Sequence, residues 1–535
     1  MRKIFFSVFA VLAVWSVWIY ASLPEQEQEV PVIYWVTDRN PARDQQVALF
    51  QEWLAENHPK VSATLLLDMG NRDLQKQIVQ GVSGVGGDIQ DLAGSTDVPL
   101  LYRMGIVSEL DDVAEPMGFG LDTTFEAIRP LLTVERDGRS IQVAYPCNVG
   151  SQRYFVNRGV LEELDFPMPP DTWTVETFED YGKRFVAAAN ADNPPRRRFL
   201  VMQLPMEEFY RSFGVDLFNE TLTGSGLNER PLTPDGTLAD EPGLVSALRK
   251  LYQWTYVDNI LPTPSQLAGM NTEGGYGGTT IVTFERGDFA LLAAGRWHLI
   301  KMRETNVQRV ADGLEPLRLS TTQYPHRYMP NVIVGTRAAI VYSASEHPEL
   351  ATLFLSFLAS ESYNRNIIDD ADGLPPNPRY CADEAYARPP TDPQRGIYPE
   401  TEWNVHARLL ADIDELAIAD SKSPFLAIQE ADRQRMGRQD LFMNGLISVE
   451  EAGLQTERRI RREMQRSIDE MLVGDPRLAL FEEWSALQVK VDEYKAAGKP
   501  IPIEWIKNPF YVKYYRHIGM LDESGGASAD VVAMD

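Results

Sequence analysis

Residues 32–67 read VIYWVTDRNPARDQQVALFQEWLAENHPKVSATLLL, and the shift of hydrophobic period inside this stretch decides the fold class. Val32–Val36 is a short β-branched and aromatic run, the composition of a buried strand. Asn40 and Pro41 make a helix start, an amide cap followed by the residue whose fixed φ suits a first turn. Val47, Phe50 and Leu54 recur at helical spacing, and Pro59 ends the pattern. Val61–Leu67 returns to strand composition. Leu74, Ile78 and Val82 then mark a second helix, a Gly-rich turn follows, and Ile89–Ala93 reads as a third strand. Strand–helix alternation at this spacing predicts an α/β protein with an open parallel sheet flanked by helices. The alternation resumes with helices predicted over Val175–Ala189, Pro242–Val257, Pro348–Ser360 and Ser448–Leu472. The last opens with Ser448 and Glu451 at capping-box spacing. It carries Ile460, Met464 and Ile468 on one face, and its charge cluster, Glu457 to Arg466, reads as a solvated face.

The chain has 535 residues, enough for two or three domains. Hydrophobic residues make up 44% and charged residues 24%, a globular balance that excludes a disordered or multi-span membrane chain. Acidic residues number 77 and basic residues 51, so the net charge is −26. Such a surface repels phosphate backbones, and no basic run of useful length offsets it, so no nucleic-acid partner is expected. Two cysteines, Cys147 and Cys381, exclude a disulfide scaffold and a CxxC zinc site. Whether those two pair is left open by the sequence.

At the N-terminus, Arg2 and Lys3 precede an uncharged run from Ile4 to Pro24. As a helix, Ile4–Leu23 would span roughly 30 Å, about one hydrocarbon core. The order positive, apolar, acidic sends the rest of the chain out of the cytoplasm. Ala21 and Ser22 offer a poor cleavage site, whereas Trp15, Trp18 and Tyr20 suit an interfacial anchor. Residues 1–24 are therefore read as either a signal peptide or an N-terminal membrane anchor, the membrane being contacted through this segment only. The location is periplasmic or extracytoplasmic.

Catalytic motifs are missing. No two of the six histidines stand four apart, so HExxH is absent and no metal site is expected. Gly81–Gly87 fits neither phosphate-loop pattern, and GxSxG does not occur. Acidic pairs such as Asp111–Asp112 and Asp369–Asp370 are common in so acidic a chain and do not by themselves assign glycosidase acids.

Five segments, in order, resemble the sugar-binding family of extracellular solute-binding proteins of ABC importers, the maltose-binding-protein-like group. They are VIYWVTDRNP; GVGGDIQDLAGSTDVPLLYRMGIVSELDD; YPCNVGSQRYFVNRGVLEELDFPMPPDTW; FERGDFALLAAGRW; and HPELATLFLSFLAS followed by DGLPPNP. In the third, Tyr145, Pro146, Asn157, Arg158, Thr172 and Trp173 fall in the family's order. In the fourth, Phe284, Gly287, Gly295 and Trp297 do. Gly87 stands where the family has proline, no lipid-anchor cysteine is present, Asn193–Asn271 is divergent, and an extension follows the usual last helix. The extension includes IPIEWIKNPFYVKYY, with Trp505, Phe510, Tyr511, Tyr514 and Tyr515, read as a strap packed on a lobe or a docking site for a partner.

The resemblance implies a two-lobed periplasmic-binding-protein fold of type II kind, each lobe a mixed β-sheet flanked by helices, with hinge crossovers near Tyr145, residue 331 and residue 375. It places residues 30–144 and 332–375 in lobe I, 145–331 and 376–475 in lobe II, 476–521 in the extension and 522–535 in a disordered tail. Ligands of such sheets sit beyond the carboxyl ends of strands. A sugar requires flat aromatics for its ring faces and amide, carboxylate or guanidinium groups for its hydroxyls. The expected ligand contacts are Asp38 and Arg39 on the first loop, Ser95, Thr96 and Asp97 on the second, and Asn148 and Ser151 near the hinge. From the other lobe come Trp297 as stacking platform, Arg296 beside it, and Tyr276, whose flanking glycines allow it to close over ligand. Trp35 is core or cleft, Trp173 reads as structural, and Asp38 has a second reading as a helix cap. The implied role is capture without turnover by a monomer that passes a carbohydrate to the permease subunits of an ABC importer, with no cofactor. A tethered receptor signalling to a membrane sensor and an envelope glycoside hydrolase are the alternatives.

Overall fold

The computed structural model describes residues 14–16, 30–71, 73–93, 97–136, 139–192, 194, 196–270, 278–419 and 421–524. Most of the apolar N-terminal run lies outside these residues. Among the described residues no helix is long and apolar enough to cross a membrane.

The first sheet is built where the sequence alternation is clearest. Strands β1 (Val32–Val36), β2 (Thr64–Asp68) and β3 (Ile89–Ala93) are parallel, with β1 between the other two. Strand β4 (Tyr145–Gly150) lies at the far edge, and Pro146, which has no N–H to give a ladder, is tolerated there. In the second sheet, β5 (Arg153–Asn157) pairs antiparallel with β7 (Phe289–Ala294), which pairs parallel with β6 (Phe199–Val201). Strand β8 (Leu319–Thr322) closes the other side of β5. Strand β9 (Gly335–Val341) returns to the first sheet and inserts antiparallel between β3 and β4, with a bulge at Arg337/Ala338. The fold is thus two lobes, each carrying one mixed sheet.

The chain passes between the two large sheets twice and leaves the first sheet a last time after its final strand. It first crosses at Ser151–Gln152, so Tyr145–Gly150 belongs to the first sheet rather than opening the second lobe. It crosses back between β8 and β9. Farther on, Leu374 returns to the first sheet's edge, its backbone exchanging two 2.8 Å hydrogen bonds with Val149.

Helix α1 (Ala42–Asn57) and helix α3 (Pro348–Ala359) cover one face of the first sheet. Trp35 is fully buried there against Phe354, ring centroids 4.8 Å apart, so it is core and not cleft. Helix α2 (His298–Ala311) begins just beyond β7 in the second lobe, and helix α4 (Glu361–Asp369) follows α3 directly. Trp173 is buried, its indole N–H donating to the Gln323 carbonyl. Val175–Ala189 is helical as predicted, and the region predicted as one helix over Pro242–Val257 ends in a π-helical turn, Gln253–Val257. Helix α5 (Val449–Asp469) is capped by Ser448 and buries Ile460, Met464 and Ile468. Both cysteines are buried free thiols.

The C-terminal extension and the divergent segment are halves of one structure. Helix α6 (Pro476–Ala496) and helix α7 (Pro509–His517) pack Val491, Phe510, Tyr511, Tyr514 and Tyr515 against Leu232, Met329 and Ile418. Lys495 Nζ lies 2.7 Å from Glu220 Oε1 and 2.5 Å from Glu229 Oε2, and Gln488 donates to Glu220 Oε2 at 2.9 Å. Burial opposes the Lys495 charge, but Glu220 and Glu229 hold it ionised. Asp522, read from sequence as the start of a disordered tail, instead pairs with Pro502 in a short strand ladder.

Candidate ligand cleft

The parallel strands β1 and β3 end at Val36 and Ala93, Thr37 and Asp38 follow the first, and the bulged start of β9 lies beside them. This edge gathers charge that sequence spacing does not reveal. Arg43, in the first turn of α1, donates from Nε to Asp38 Oδ1 at 2.8 Å and from Nη1 to Asp372 Oδ2 at 2.8 Å. Arg337 on β9 pairs with Asp91 at 3.0 Å, Asp38 at 3.4 Å and Asp372 at 3.4 Å. Thr37 Oγ1 donates to Asp91 Oδ2 at 2.6 Å, and Asn40 Nδ2 to Asp372 Oδ1 at 3.0 Å. Three carboxylates thus surround two guanidinium groups, and all but Asp38 are at most 6% exposed. Buried ions persist only when paired and hydrogen-bonded. Burial weighs against the Arg43 charge, but Asp372 and Asp38 more than offset it and hold that guanidinium above its ordinary pKa. Burial pushes Asp372 up against the pull of Arg43.

Asp38 is the rim of this network, with 19% of its side chain exposed. It also accepts from the Asn40 N–H at 3.3 Å, so it shapes the turn into α1 as well as pairing with arginine. Arg39 is exposed beside it. Asn148 on β4 joins from below, donating to the Asp372 carbonyl at 2.7 Å and accepting from the Arg337 N–H at 3.3 Å.

The second lobe meets this edge through two arginines. Arg296, in the turn after β7, is 1% exposed and donates to the carbonyls of Ile367, Ile368 and Gly373 at 3.0, 2.9 and 2.7 Å. Arg303 on α2 donates to the Asp369 carbonyl at 2.6 Å and forks onto Glu402 at 2.8 and 2.6 Å. Both guanidinium groups therefore satisfy the last carbonyls of α4, where the helix dipole favours cations. Burial pulls Arg296 down to about 10. Expected as a ligand contact, Arg296 here ties the lobes at the hinge. Ser151 is likewise internal, donating to the Leu409 carbonyl at 3.3 Å.

Trp297 is half-buried, its ring against His298 at 3.5 Å between centroids. Asp97 accepts from Gln429 Nε2 at 2.6 Å, a direct contact from the end of the first lobe to a second-lobe helix. Burial raises the Asp97 pKa. Ser95, Thr96 and Tyr276 lie outside the described residues. Between the lobes, a cavity of about 360 Å³ runs from Asn40, Ala42 and Gln45 to Ile300, Arg303 and Val307, with Asp370 and Arg395 at its end. Asp38 and Asn148 thus share one network with Asn40, while Asp97 and Trp297 stand apart from it. Arg43, Asp91, Arg337 and Asp372 were missed from sequence; an arginine inside the apolar strand GTRAAIV was the one legible signal. Among the described residues, Glu220, Glu229 and Asp492 are the carboxylates grouped closely enough for a metal ion, and the Lys495 ammonium already contacts two of them.

The sequence profile of bacterial extracellular solute-binding proteins matches residues 60–394. The chain belongs to that family. Members of this solute-binding family are binding proteins that work outside the cytoplasm. Curated protein sequences give no match. An ABC substrate-binding protein from Listeria monocytogenes in complex with cycloalternan is 17% identical with a TM-score of 0.62, covering 82% of this chain and 100% of its own. The GacH receptor of Streptomyces glaucescens, solved unliganded and with acarbose, is 14% identical with a TM-score of 0.61, covering 82% and 99%. The maltose/maltodextrin-binding domain of Bdellovibrio bacteriovorus bound to maltotriose is 17% identical with a TM-score of 0.56, covering 82% and 100%. These likenesses establish the two-lobed fold for this solute-binding protein.

Proposed function

We propose that this solute-binding protein captures a carbohydrate-type solute between its lobes and delivers it to the permease subunits of an ABC importer, tethered or secreted through residues 1–24. The observation that supports this reading most is the cavity between the lobes, lined by Asn40 and Gln45 on one side and by Arg303 and Glu304 on the other; Asp38, Arg39 and Asp97 are the proposed polar contacts and Trp297, a half-buried indole, the proposed stacking platform. Hydroxyls suit the former and a sugar ring face the latter. The solved relatives named above bind or were solved with oligosaccharides, which favours the same class. Ser95, Thr96, Asn148, Ser151, Tyr276 and Arg296 complete the proposed ligand shell; Asn148, Ser151 and Arg296 act from behind, positioning the hinge.

Binding works by population shift. Ligand touches both lobes only when they close, so it favours the closed form by its differential affinity for that form. The permease then reads the closed shape. A thermal-shift and calorimetric screen with mono- and oligosaccharides tests this. A saturable stabilisation without product formation is expected. No response to any carbohydrate, or release of product, overturns it.

A further inference from the structure

The far end of the second sheet carries a basic concavity in an otherwise acidic protein. Strands β6 and β7 are parallel, with Phe199 beside Phe289. Their carboxyl ends lead toward Trp297 and the hinge. Their amino ends therefore lie about 20 Å away along the six-residue β7, at the pole opposite the cleft. There Arg196 and Arg197 meet Arg286 and Asp288 around a cavity of about 440 Å³.

The arginine run is anchored at Arg198 and Phe199. Asn190 accepts from the Arg198 N–H at 2.9 Å and donates to the Arg198 carbonyl at 3.0 Å. The Arg198 side chain forks onto Glu163 at 3.0 and 3.2 Å. The Phe199 N–H donates to the Asp288 carbonyl at 3.0 Å. Arg197 lies over the Phe199 ring, 5.8 Å from its centroid. Arg286 donates from Nε to Asp288 Oδ2 at 2.9 Å, so the one carboxylate lining the cavity is already neutralised. Arg196 and Arg197 have no carboxylate partner among the described residues, in a chain with 77 acidic residues available to provide one. Gln266 accepts from the Thr263 N–H and hydroxyl through Oε1, which leaves its NH2 donors uncommitted among the described residues. Donors on the cavity thus exceed acceptors.

We propose that this concavity is a second binding site, for a phosphate-type oxyanion, separate from the interlobe cleft. Arginine forks match tetrahedral oxyanions bidentately, and Arg197 is already ordered over the Phe199 ring. The same chemistry is offered by a phosphorylated small molecule and by an anionic lipid headgroup at the membrane surface.

The test uses the full chain and two probes. One is inorganic phosphate, by isothermal titration. The other is co-sedimentation with phosphatidylcholine vesicles, with and without phosphatidylglycerol. At least one probe is expected to bind saturably and salt-sensitively, and Arg196→Gln/Arg197→Gln to weaken it by roughly tenfold or more. Phosphate binding identifies a soluble ligand; phosphatidylglycerol-dependent binding alone identifies a headgroup. Failure of both probes, or equal binding by the double variant, overturns the proposal. Both side chains are exposed; should circular dichroism nevertheless show the double variant unfolded, Arg196→Gln alone serves, with the same expected and contrary results. The result is independent of carbohydrate binding.

Discussion

Replacing Arg337 by methionine isolates the energetics of the buried network. The exchange keeps much of the side-chain volume and removes one of two cations facing Asp38, Asp91 and Asp372. Arg43 contacts Asp38 and Asp372 directly, so the variant's largest change falls on Asp91, which is 0% exposed and loses a guanidinium 3.0 Å away. Removing one member of a buried pair costs about 3–5 kcal/mol. A loss on the order of 4 kcal/mol is therefore expected at pH 7.5, measured by urea unfolding. The pH dependence supplies the sign. Burial already holds Asp372 above its ordinary pKa, and removing Arg337 takes away an opposing cation, so this carboxylate weakens the fold most at high pH. The difference between variant and wild type should shrink as pH falls and Asp372 takes up its proton. Adding Asp91→Asn should recover part of the loss at neutral pH, because the uncompensated charge is gone. A loss below about 1 kcal/mol, the range of exposed pairs, or one that grows on acidification, would refute the reasoning.

Trp297→Ala should weaken carbohydrate affinity by about tenfold or more, the equivalent of about 1.4 kcal/mol, while urea stability stays close to wild type; calorimetry reads both. Burial lowers His406, whose ring Nε2 lies 2.9 Å from the Cys381 carbonyl, to about 3. The unfolded state therefore takes up that proton first: stability is full above about pH 6.5 and falls as pH drops toward 3, by on the order of 4 kcal/mol. His406→Gln should flatten that part of the stability–pH curve. Lys495→Met should leave Glu220 without its cation and detach the extension, costing about 3–5 kcal/mol, with limited proteolysis cutting first within residues 476–524.

The architecture was legible because hydrophobic period is local. Val32–Val36 and Ile89–Ala93 stand where the sequence puts them, and Val175–Ala189 matches its predicted limits. The polar network was not legible, because Asp38 and Asp372 meet only after the chain has crossed between lobes and returned. The hydrogen bonds of Arg296 were illegible for a related reason: its guanidinium turns inward to the last carbonyls of α4, which lie far along the chain. The extension and the divergent segment looked like two separate departures from the family pattern. They are one packing unit, tied by residues as distant as Glu220 and Lys495, and nothing in either stretch alone announces its partner.

Hinge closure can be read by electron–electron double resonance between spin labels on Asp112→Cys and Asp180→Cys, exposed positions on the two lobes, since the native thiols are buried. Saturating oligosaccharide is predicted to shift the interlobe distance distribution to a shorter, narrower one. A distribution unchanged when sugar is demonstrably bound would contradict capture by closure.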